Sequence, residues 1–317
     1  MGKNVTPTIE SGLLAAITVL LGLVTVYVPL IGMFTEFFCA LPLAVLTARQ
    51  GAGKGFSALA VTFLLLSMLI SPILSLRLTM SCGICGVALG WCVQKNFNAV
   101  RIFFATLIVA SMAQVVSIVL LFVVMDVNFI EAQVDLVRES FAESFKMYES
   151  MGVDPARIAE AKGQVEPALQ TLMLLMPTLI MLSALINTLA VWFTSRWIFP
   201  KLQLKLPTFP PFAEWKFPAL FLYLAAFGGV GIYWGFTRGW TGLYELALNV
   251  TLVAMFVGLI QGLALMSFLF DRYNVSKFLR RVLYVLLILN MFFLQLVAIT
   301  GLIDTLFDYR KKFFNGQ

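Results

Sequence analysis

The chain contains no histidine and little charge of either sign. Of its 317 residues, 12% are Asp, Glu, Lys or Arg, whereas 61% are apolar. Soluble domains carry roughly 25% charged residues, which cover their surface. The missing histidine removes the most common general base and metal ligand. This composition excludes a soluble enzyme, a disordered chain and, despite the net charge of +6, a nucleic-acid-binding protein.

The chain also lacks recognisable chemical motifs. Its four cysteines (Cys39, Cys82, Cys85 and Cys92) lie in apolar stretches, where they behave as small hydrophobic residues. Two of them have C-x-x-C spacing, but there is no charged neighbour to activate a thiol and no second ligand pair for zinc. The Gly-rich connector 49–55 lacks the spacing of a phosphate loop and the Ser or Thr that follows its Lys. We therefore expect no catalytic residues, no metal and no cofactor.

Long apolar runs dominate the sequence instead. A helix needs about 20 apolar residues to cross a bilayer, and several charge-free runs reach this length. The pattern predicts an all-α polytopic membrane protein with about nine transmembrane helices. The predicted spans are 11–35 with a turn near Pro29 and Gly32, 34–47, 55–76, 78–94 with Arg77 in the tight bend before it, 102–125, 167–195, 217–235, 242–270 and 282–303.

The segment 131–166 differs from the rest of the chain. It contains eight acidic and four basic residues and therefore cannot lie in lipid. Apolar residues recur within it at helical spacing, which predicts an amphipathic helix that stops at Gly152. Asp154 and Pro155 then read as the N-cap and first residue of a second short helix.

These features divide the chain into four parts. Residues 1–195 form a six-span bundle with the external segment 131–166, and residues 196–216 form a cytoplasmic, Pro-rich basic connector. Residues 217–303 form three C-terminal spans, and residues 304–317 form a charged tail. A cytoplasmic N-terminus in a bacterial inner membrane places 13 Lys and Arg inside and nine outside, as the positive-inside rule requires. The basic tail is the exception: either the C-terminus is external, or one of the last three segments does not span.

Four stretches resemble the YybS-like family of bacterial membrane proteins: LPLAVLTARQGAGKG, LPTFPPFAEW, IQGLALMSFL and GLIDTLFDYRKK. The most specific patterns are Pro-Pro-Phe-x-Glu-Trp and Gly301-x-x-Asp304-x-x-x-Asp308-Tyr309-Arg310. In layout, the first six spans are also distantly similar to the S components of energy-coupling-factor vitamin transporters and to MreD-type proteins. The shared features are a small-residue first helix, a short second helix that contains proline, and a Gly-rich inner loop. The three C-terminal spans depart from a six-helix S component.

The resemblance to S components implies a solute site toward the outer surface. Glu36 and Arg77 are ionisable groups at the edges of apolar spans, where such groups usually face a cavity or each other. The uncharged polar candidates for this pocket are Gln114, Asn187 and Asn249. The alternatives are an interfacial pair or separate snorkelling for the two charges, and hydrogen bonds between helices for the three amides.

The first helix carries Ser11 and Ala15, and Gly12 and Ala16, at four-residue spacing. Such small-residue faces allow close helix contact. In S components, a small-residue face on the first helix docks onto the coupling subunit, which makes these residues a candidate partner face. Packing within the protein is the alternative.

The C-terminal motif consists of Gly301, Asp304, Asp308 and Arg310. Its charged residues follow the last predicted span, where a salt-bridged helix end at the membrane interface is the simpler interpretation. The family resemblance supports the other interpretation, a docking or gating element.

Two functions follow as hypotheses. The first is a non-enzymatic membrane protein that binds an unknown small solute from the outer side, with a coupling subunit and ATPases as the source of energy. The second is an MreD-like scaffold that assembles envelope or division proteins through its helix faces and external segment. Both hypotheses place the protein in the lipid bilayer and predict no contact with nucleic acid.

Overall fold

In a computed structural model of the chain, which describes residues 7–125 and 128–310, the secondary structure is helical, and the all-α prediction is confirmed. The α-helices are α1 Pro7–Tyr27, α2 Pro29–Gln50, α3 Ala52–Leu69, α4 Pro72–Leu78, α5 Ile84–Gln94, α6 Ala99–Met125, α7 Phe129–Ser150, α8 Pro155–Ile198, α9 Leu220–Arg238, α10 Thr241–Arg272, α11 Lys277–Leu289 and α12 Met291–Phe307. A π-turn, Thr79–Gly83, joins α4 to α5, and the region between α8 and α9 contains the 3-10 helices Phe199–Leu202 and Phe212–Glu214.

Seven helical segments within the described residues are long and apolar enough to cross a membrane. They are α1, α3, the continuous run Pro72–Gln94, α6, α8 with the 3-10 helix after it, α9 and α10. An eighth candidate is the pair α11 and α12, which is bent by 106°. The predicted count of nine is not confirmed.

The predicted border between the first two spans is wrong. A single residue, Val28, separates α1 from α2, and α2 begins at Pro29, a residue whose fixed φ suits the first helical position. The second helix is therefore 22 residues long, and Gly32 lies within it rather than in a turn. Arg49 at its end pairs with Glu10 at 2.5 Å, and Gln50 Nε2 donates to the Pro7 carbonyl at 3.1 Å. Helix α2 thus returns to the end where α1 begins.

The chain divides into two compact units. Unit 1 comprises Met1–Leu169 and Leu179–Thr208, and unit 2 comprises Gln170–Thr178 and Phe209–Gln317. Several connectors between helices lie close together at one end of unit 1. Arg49 Nη2 donates to the Leu202 carbonyl at 3.0 Å, and a Cβ added to Gly51 would contact the Gln94 amide at 3.4 Å. The ends of α2, α5 and α8 therefore lie together with the start of α1.

The bend after α3 lies at Ile70 and Ser71, where Ser71 Oγ caps α4 by accepting from Leu74 N at 3.3 Å. Arg77 is in the last turn of α4, so its predicted place in the bend is wrong. The helix then changes to one turn of π-helix, Thr79–Gly83 (the π-turn), before it continues as α5. Such π-bulges inside helices are frequent at functional sites.

Helix α5 packs on α2 through glycine. A Cβ at Gly86 would lie 2.2 Å from the Ala40 carbonyl oxygen, and one at Gly90 would lie 2.3 Å from that of Ala44. No larger residue permits this approach without a shift of the backbone. Cys82 and Cys85 are free and buried on the same helical run, so their spacing belongs to a packed helix face.

The predicted second short helix and sixth span are one helix. Helix α8 has 44 residues and continues through Pro167 and Pro177 without a break. At 1.5 Å per residue it is about 66 Å long, roughly twice the hydrocarbon core of a bilayer. The predicted amphipathic helix is present as α7, and the predicted cap is confirmed because Asp154 Oδ1 accepts from Ala156 N at 3.0 Å.

Helix α7 lies along the first part of α8. Arg138 pairs with Glu166 at 3.4 Å, and Lys162 pairs with Glu149 at 2.9 Å. Because residues 131–166 are too charged for lipid, we expect this part of unit 1 to lie outside the bilayer. We call residues 129–169 the projecting hairpin.

In unit 2, the bent pair α11 and α12 begins and ends at the same end of α10. Arg280, in the first turn of α11, donates from Nη2 to the Phe270 carbonyl at 2.9 Å. Arg310, which follows α12, lies 6.0 Å from the centre of the Phe268 ring and donates to the Ala213 carbonyl at 2.5 Å. Both ends of the pair therefore lie at the same end of α10, as in a re-entrant segment, and the start of the tail contacts the Pro-rich connector. This geometry favours the second explanation for the basic tail, in which one of the last segments does not span.

Candidate functional site

The π-turn of unit 1 contacts a buried amide on α8. Asn187 Nδ2 donates to the Ser81 carbonyl at 2.8 Å and to Ser81 Oγ at 3.3 Å. Only 7% of Asn187 is exposed, and its Oδ1 has no hydrogen-bond partner among the residues that the structure describes. Leaving a buried acceptor unpaired costs about 1–3 kcal/mol. The Asn187 oxygen is therefore placed to accept from a donor that the described chain does not supply.

A second polar residue lies one turn before Asn187 on α8. Ser183 Oγ donates to Gln114 Oε1 on α6 at 2.8 Å. Ser183 and Asn187 share one face of the helix because they are four residues apart. Gln114 is thus hydrogen-bonded between α6 and α8 one turn from Asn187, a contact that matches the alternative interpretation, hydrogen bonding between helices.

Glu36 and Arg77 lie on different helices. Glu36 is half-buried on α2. Arg77 is exposed one helical turn before Ser81. The ion pairs of the described residues do not include one between Glu36 and Arg77. The opposed pair that their positions in the sequence allowed is not formed.

Substituting Glu36→Gln and Arg77→Gln should therefore have additive effects on stability. Residues without a shared contact usually add within about 0.3–0.5 kcal/mol. A double-mutant cycle, measured as the free energy of unfolding in mixed micelles, tests this expectation. A coupling energy near 1 kcal/mol or more would show that the two charges are in contact after all.

Asn249, the remaining predicted pocket residue, belongs to unit 2. Its Oδ1 accepts from Thr178 Oγ1 at 2.7 Å, and its Nδ2 donates to the carbonyls of Leu174 and Glu245 at 2.8 and 2.9 Å. Both ends of this amide are bonded to helices of unit 2. These contacts match the alternative interpretation, hydrogen bonding between helices.

The small-residue face of α1 is split in two. Ser11 Oγ donates to Gln50 Oε1 at 3.0 Å, and Ala15 is buried in a cluster with Leu43. Gly12 and Ala16 are exposed, and a Cβ at Gly12 would meet nothing within 4 Å. Ser11 and Ala15 therefore pack inside unit 1, whereas Gly12 and Ala16 are exposed.

The C-terminal motif forms a buried polar cluster in unit 2. Asp304 is 0% exposed and lies within α12, which continues beyond the predicted end of the last span at residue 303. Asp304 Oδ2 accepts from Gln261 Nε2 at 2.6 Å, and Oδ1 accepts from Tyr309 N at 3.0 Å. Both carboxylate oxygens are therefore hydrogen-bonded.

The cluster also fixes the connector in front of α9. Arg310, which is 7% exposed, lies 3.8 Å from Asp304, and Asp308 forms an ion pair with Lys216. Gln261 Oε1 accepts from Phe217 N at 3.1 Å. Burial lowers the pKa of the Arg310 guanidinium, and the nearby carboxylates act in the opposite direction. We call this cluster the C-terminal clamp; it consists of Ala213, Lys216, Phe217, Gln261, Asp304, Asp308 and Arg310.

Glycine allows the helices of the clamp to meet. Gly301, the first residue of the C-terminal motif, would place a Cβ only 2.0 Å from the Gly258 carbonyl oxygen. Three of the stretches that carry the family resemblance therefore converge: the connector before α9, the middle of α10 and the end of α12. The clamp joins them through hydrogen bonds and ion pairs, although Arg310 Nε and Nη2 are buried without a hydrogen-bond partner among the described residues. Its role in docking or gating stays a prediction.

The sequence does not indicate Ser81 as a site residue, and it indicates Gln261 only as one of several amides in apolar spans that could line a pocket or bond between helices. In the structure, Gln261 is the central amide of the clamp. Ser81 contacts Asn187 only because the π-turn changes the helical register at that point, and no feature of the sequence predicts a π-turn.

Comparison with known proteins agrees with the helical layout. The family model described as "Predicted membrane protein (DUF2232)" matches residues 16–305. The chain is 23% identical over 314 residues to "Uncharacterized protein YybS" of Bacillus subtilis (strain 168), covering 98% of this chain and 99% of that protein. No solved structure gives a significant match. The match extends through both units and the described part of the clamp up to Thr305, and the chain therefore belongs to the DUF2232 family of predicted membrane proteins.

Proposed function

We propose that this integral membrane protein is the non-enzymatic, solute-binding subunit of a transport system, similar in role to an S component. The observation that carries the proposal is the buried Oδ1 of Asn187, which lacks a partner among the described residues. Its position beside a π-turn supports a binding role, because such turns are frequent at functional sites. The solute would donate a hydrogen bond to this oxygen.

The remaining features define how such a subunit would work. With the N-terminus in the cytoplasm of a bacterial cell, Glu36 and Arg77 lie toward the outer surface, from which the solute would enter. The exposed Gly12 and Ala16 are where a coupling subunit with ATPases would dock. Such a partner is required because the chain has no phosphate loop to use ATP itself.

Substituting Asn187→Leu should abolish solute binding without unfolding the protein. Leucine has nearly the shape of asparagine, but it also removes the two hydrogen bonds from Asn187 Nδ2 to Ser81, so we expect a loss of about 1–3 kcal/mol in the free energy of unfolding. The protein is purified from native membranes, and co-purified small molecules are identified by mass spectrometry. We expect a stoichiometric molecule with the native chain and about tenfold or greater loss with Asn187→Leu, from the missing hydrogen bond.

Asn249→Leu is the matched control. It removes an amide whose bonds lie within unit 2, so it should lower the melting temperature while the solute is retained. A native chain that carries no small molecule, or an Asn187→Leu variant that keeps it, would contradict the proposal.

The MreD-like scaffold is the second candidate, and the projecting hairpin favours it. A helical hairpin outside the bilayer presents more surface to other proteins than short loops would. Co-purification of cell-wall or division proteins in place of a small molecule would support the scaffold.

A further inference from the structure

Helix α11 of unit 2 is fixed to the end of α10 by one arginine. Arg280 donates from Nε to the Val275 carbonyl at 2.8 Å and from Nη2 to the Phe270 carbonyl at 2.9 Å, and it pairs with Asp271. One turn later, the rings of Tyr284 and Phe270 lie 5.6 Å apart. With 13 residues, α11 is about 20 Å long, too short to cross a hydrocarbon core of about 30 Å. It therefore extends from the end of a membrane-spanning helix without spanning by itself.

Another face of α11 carries an exposed apolar stripe. Phe278 is 76% exposed, Val285 54% and Leu289 77%. These residues are seven and four positions apart, so they lie along one side of the helix. We call them the α11 stripe. In a segment beside a membrane-spanning helix, such a stripe contacts the acyl chains of lipids.

Two cationic side chains adjoin the stripe at the start of the helix. Lys277 and Arg281 are exposed and four residues apart. Arg281 follows Phe278 by three positions and precedes Val285 by four, so it lies beside both on the helix surface. The ion pairs of the described residues include neither cation. Exposed positive charge and exposed apolar surface therefore lie side by side.

The surroundings of these two cations do not neutralise them. Residues 270–290 contain four basic side chains and one acidic side chain, and that acid, Asp271, already pairs with Arg280. The clamp adds as many carboxylates as cations. At this end of α10, the described residues of unit 2 include six cations (Lys216, Arg272, Lys277, Arg280, Arg281 and Arg310) and four carboxylates (Glu214, Asp271, Asp304 and Asp308). The excess charge is positive.

We propose that α11 binds an anionic phospholipid, with the phosphate headgroup at Lys277 and Arg281 and an acyl chain along the α11 stripe. A phospholipid carries negative charge and apolar surface next to each other, as this face requires. Basic clusters directly beside a membrane helix are typical of anionic-lipid recognition. A second copy of the face would bring like charges together. This inference is independent of the solute site in unit 1.

Native mass spectrometry of the delipidated, full-length protein tests the proposal. The protein is titrated in an uncharged detergent with phosphatidylglycerol, which is anionic, or with phosphatidylcholine of the same acyl chains. Each cation near a headgroup strengthens binding roughly fivefold. We therefore expect the first phosphatidylglycerol to bind about tenfold or more tightly than the first phosphatidylcholine.

Two double variants separate headgroup recognition from contact with the acyl chain. Lys277→Gln with Arg281→Gln should bring the ratio of the two affinities close to one. Their side chains form no ion pair with the described residues, so the melting temperature in uncharged detergent should not change. Val285→Asn with Leu289→Asn should weaken binding of phosphatidylglycerol about tenfold, through lost apolar contact.

Lys95→Gln with Arg101→Gln is the matched control. Both residues are exposed cations of unit 1, and they belong to no ion pair of the described residues. This variant removes the same net charge and should keep the preference for phosphatidylglycerol.

Several results would overturn the proposal. They are equal affinity of the native chain for the two lipids, a preference that survives the loss of Lys277 and Arg281, and undiminished binding to the stripe variant. A preference that the control at Lys95 and Arg101 also abolishes would show that total charge decides. An acidic protein that co-purifies with the native chain but not with the Lys277 and Arg281 variant, while both lipids bind equally, would assign the face to a protein partner instead.

Discussion

Replacing Gly301 with leucine is expected to separate α12 from α10 and to destabilise unit 2. A Cβ at this position would lie 2.0 Å from the Gly258 carbonyl oxygen and 2.4 Å from the Gly262 nitrogen. Both atoms are backbone, so no side chain can rotate away. Overpacking costs typically about 1–3 kcal/mol and occasionally more, and contact with backbone on two sides places this substitution at or above the upper end. Chemical unfolding in mixed micelles measures the loss.

Gly229→Leu is the control for the change in residue type. Gly229 lies in α9 of the same unit, and a Cβ there would meet nothing within 4 Å. This variant should be as stable as the native chain or slightly more stable, because glycine is a poor helix former. Equal losses at the two positions would show that α12 does not approach α10 as closely as the glycines indicate.

Substituting Asp304→Leu should be nearly as severe, because it leaves the buried guanidinium of Arg310 without its carboxylate. Removing one partner of a buried ion pair costs about 3–5 kcal/mol. Arg310→Met should cost less, since Asp304 keeps its bonds from Gln261 and from the Tyr309 amide. The double variant should be more stable than the sum of the single losses predicts, with a coupling energy of about 0.5–3 kcal/mol.

Asp271→Asn provides the comparison with an exposed ion pair in the same unit. Asp271 pairs with Arg280, and the Asp271 side chain is 57% exposed; exposed pairs contribute about 0–1 kcal/mol. Additive losses for Asp304→Leu and Arg310→Met, or a loss at Asp271 as large as at Asp304, would contradict the clamp as the structure describes it.

The helical class and the amphipathic segment could be predicted because both depend on local periodicity. Charge-free runs identify apolar helices, and Asp154 followed by Pro155 is a local helix-start signal that the structure confirms. The boundaries between helices are harder to predict. Pro167 favoured a helix boundary, yet α8 continues through it, since tertiary contacts and neighbouring groups can compensate for one missing backbone donor.

Contacts between distant residues were beyond prediction from one sequence. Gln261 and Asp304 are separated by 43 positions, and no local pattern links an amide in one helix to a carboxylate in another. The same holds for Asn187 and Ser81, which are 106 positions apart. Hydropathy predicts one span at 282–303 because it measures length and apolarity. It does not detect the change of direction between α11 and α12.

The C-terminal clamp has a consequence for the order in which the chain matures. Its contacts join Ala213 to Arg310 over 97 positions and Lys216 to Asp308 over 92, so it cannot form until Asp308 and Arg310 have left the ribosome. Unit 1 has all of its residues up to Thr208 long before that, and domains formed earlier in synthesis generally fold first. Until Asp304 has been synthesised, the Gln261 amide lies in an apolar helix without the carboxylate to which it donates a hydrogen bond. A nascent chain that stalls before this point therefore carries an unsatisfied polar group in an apolar helix, which the folded unit 2 does not.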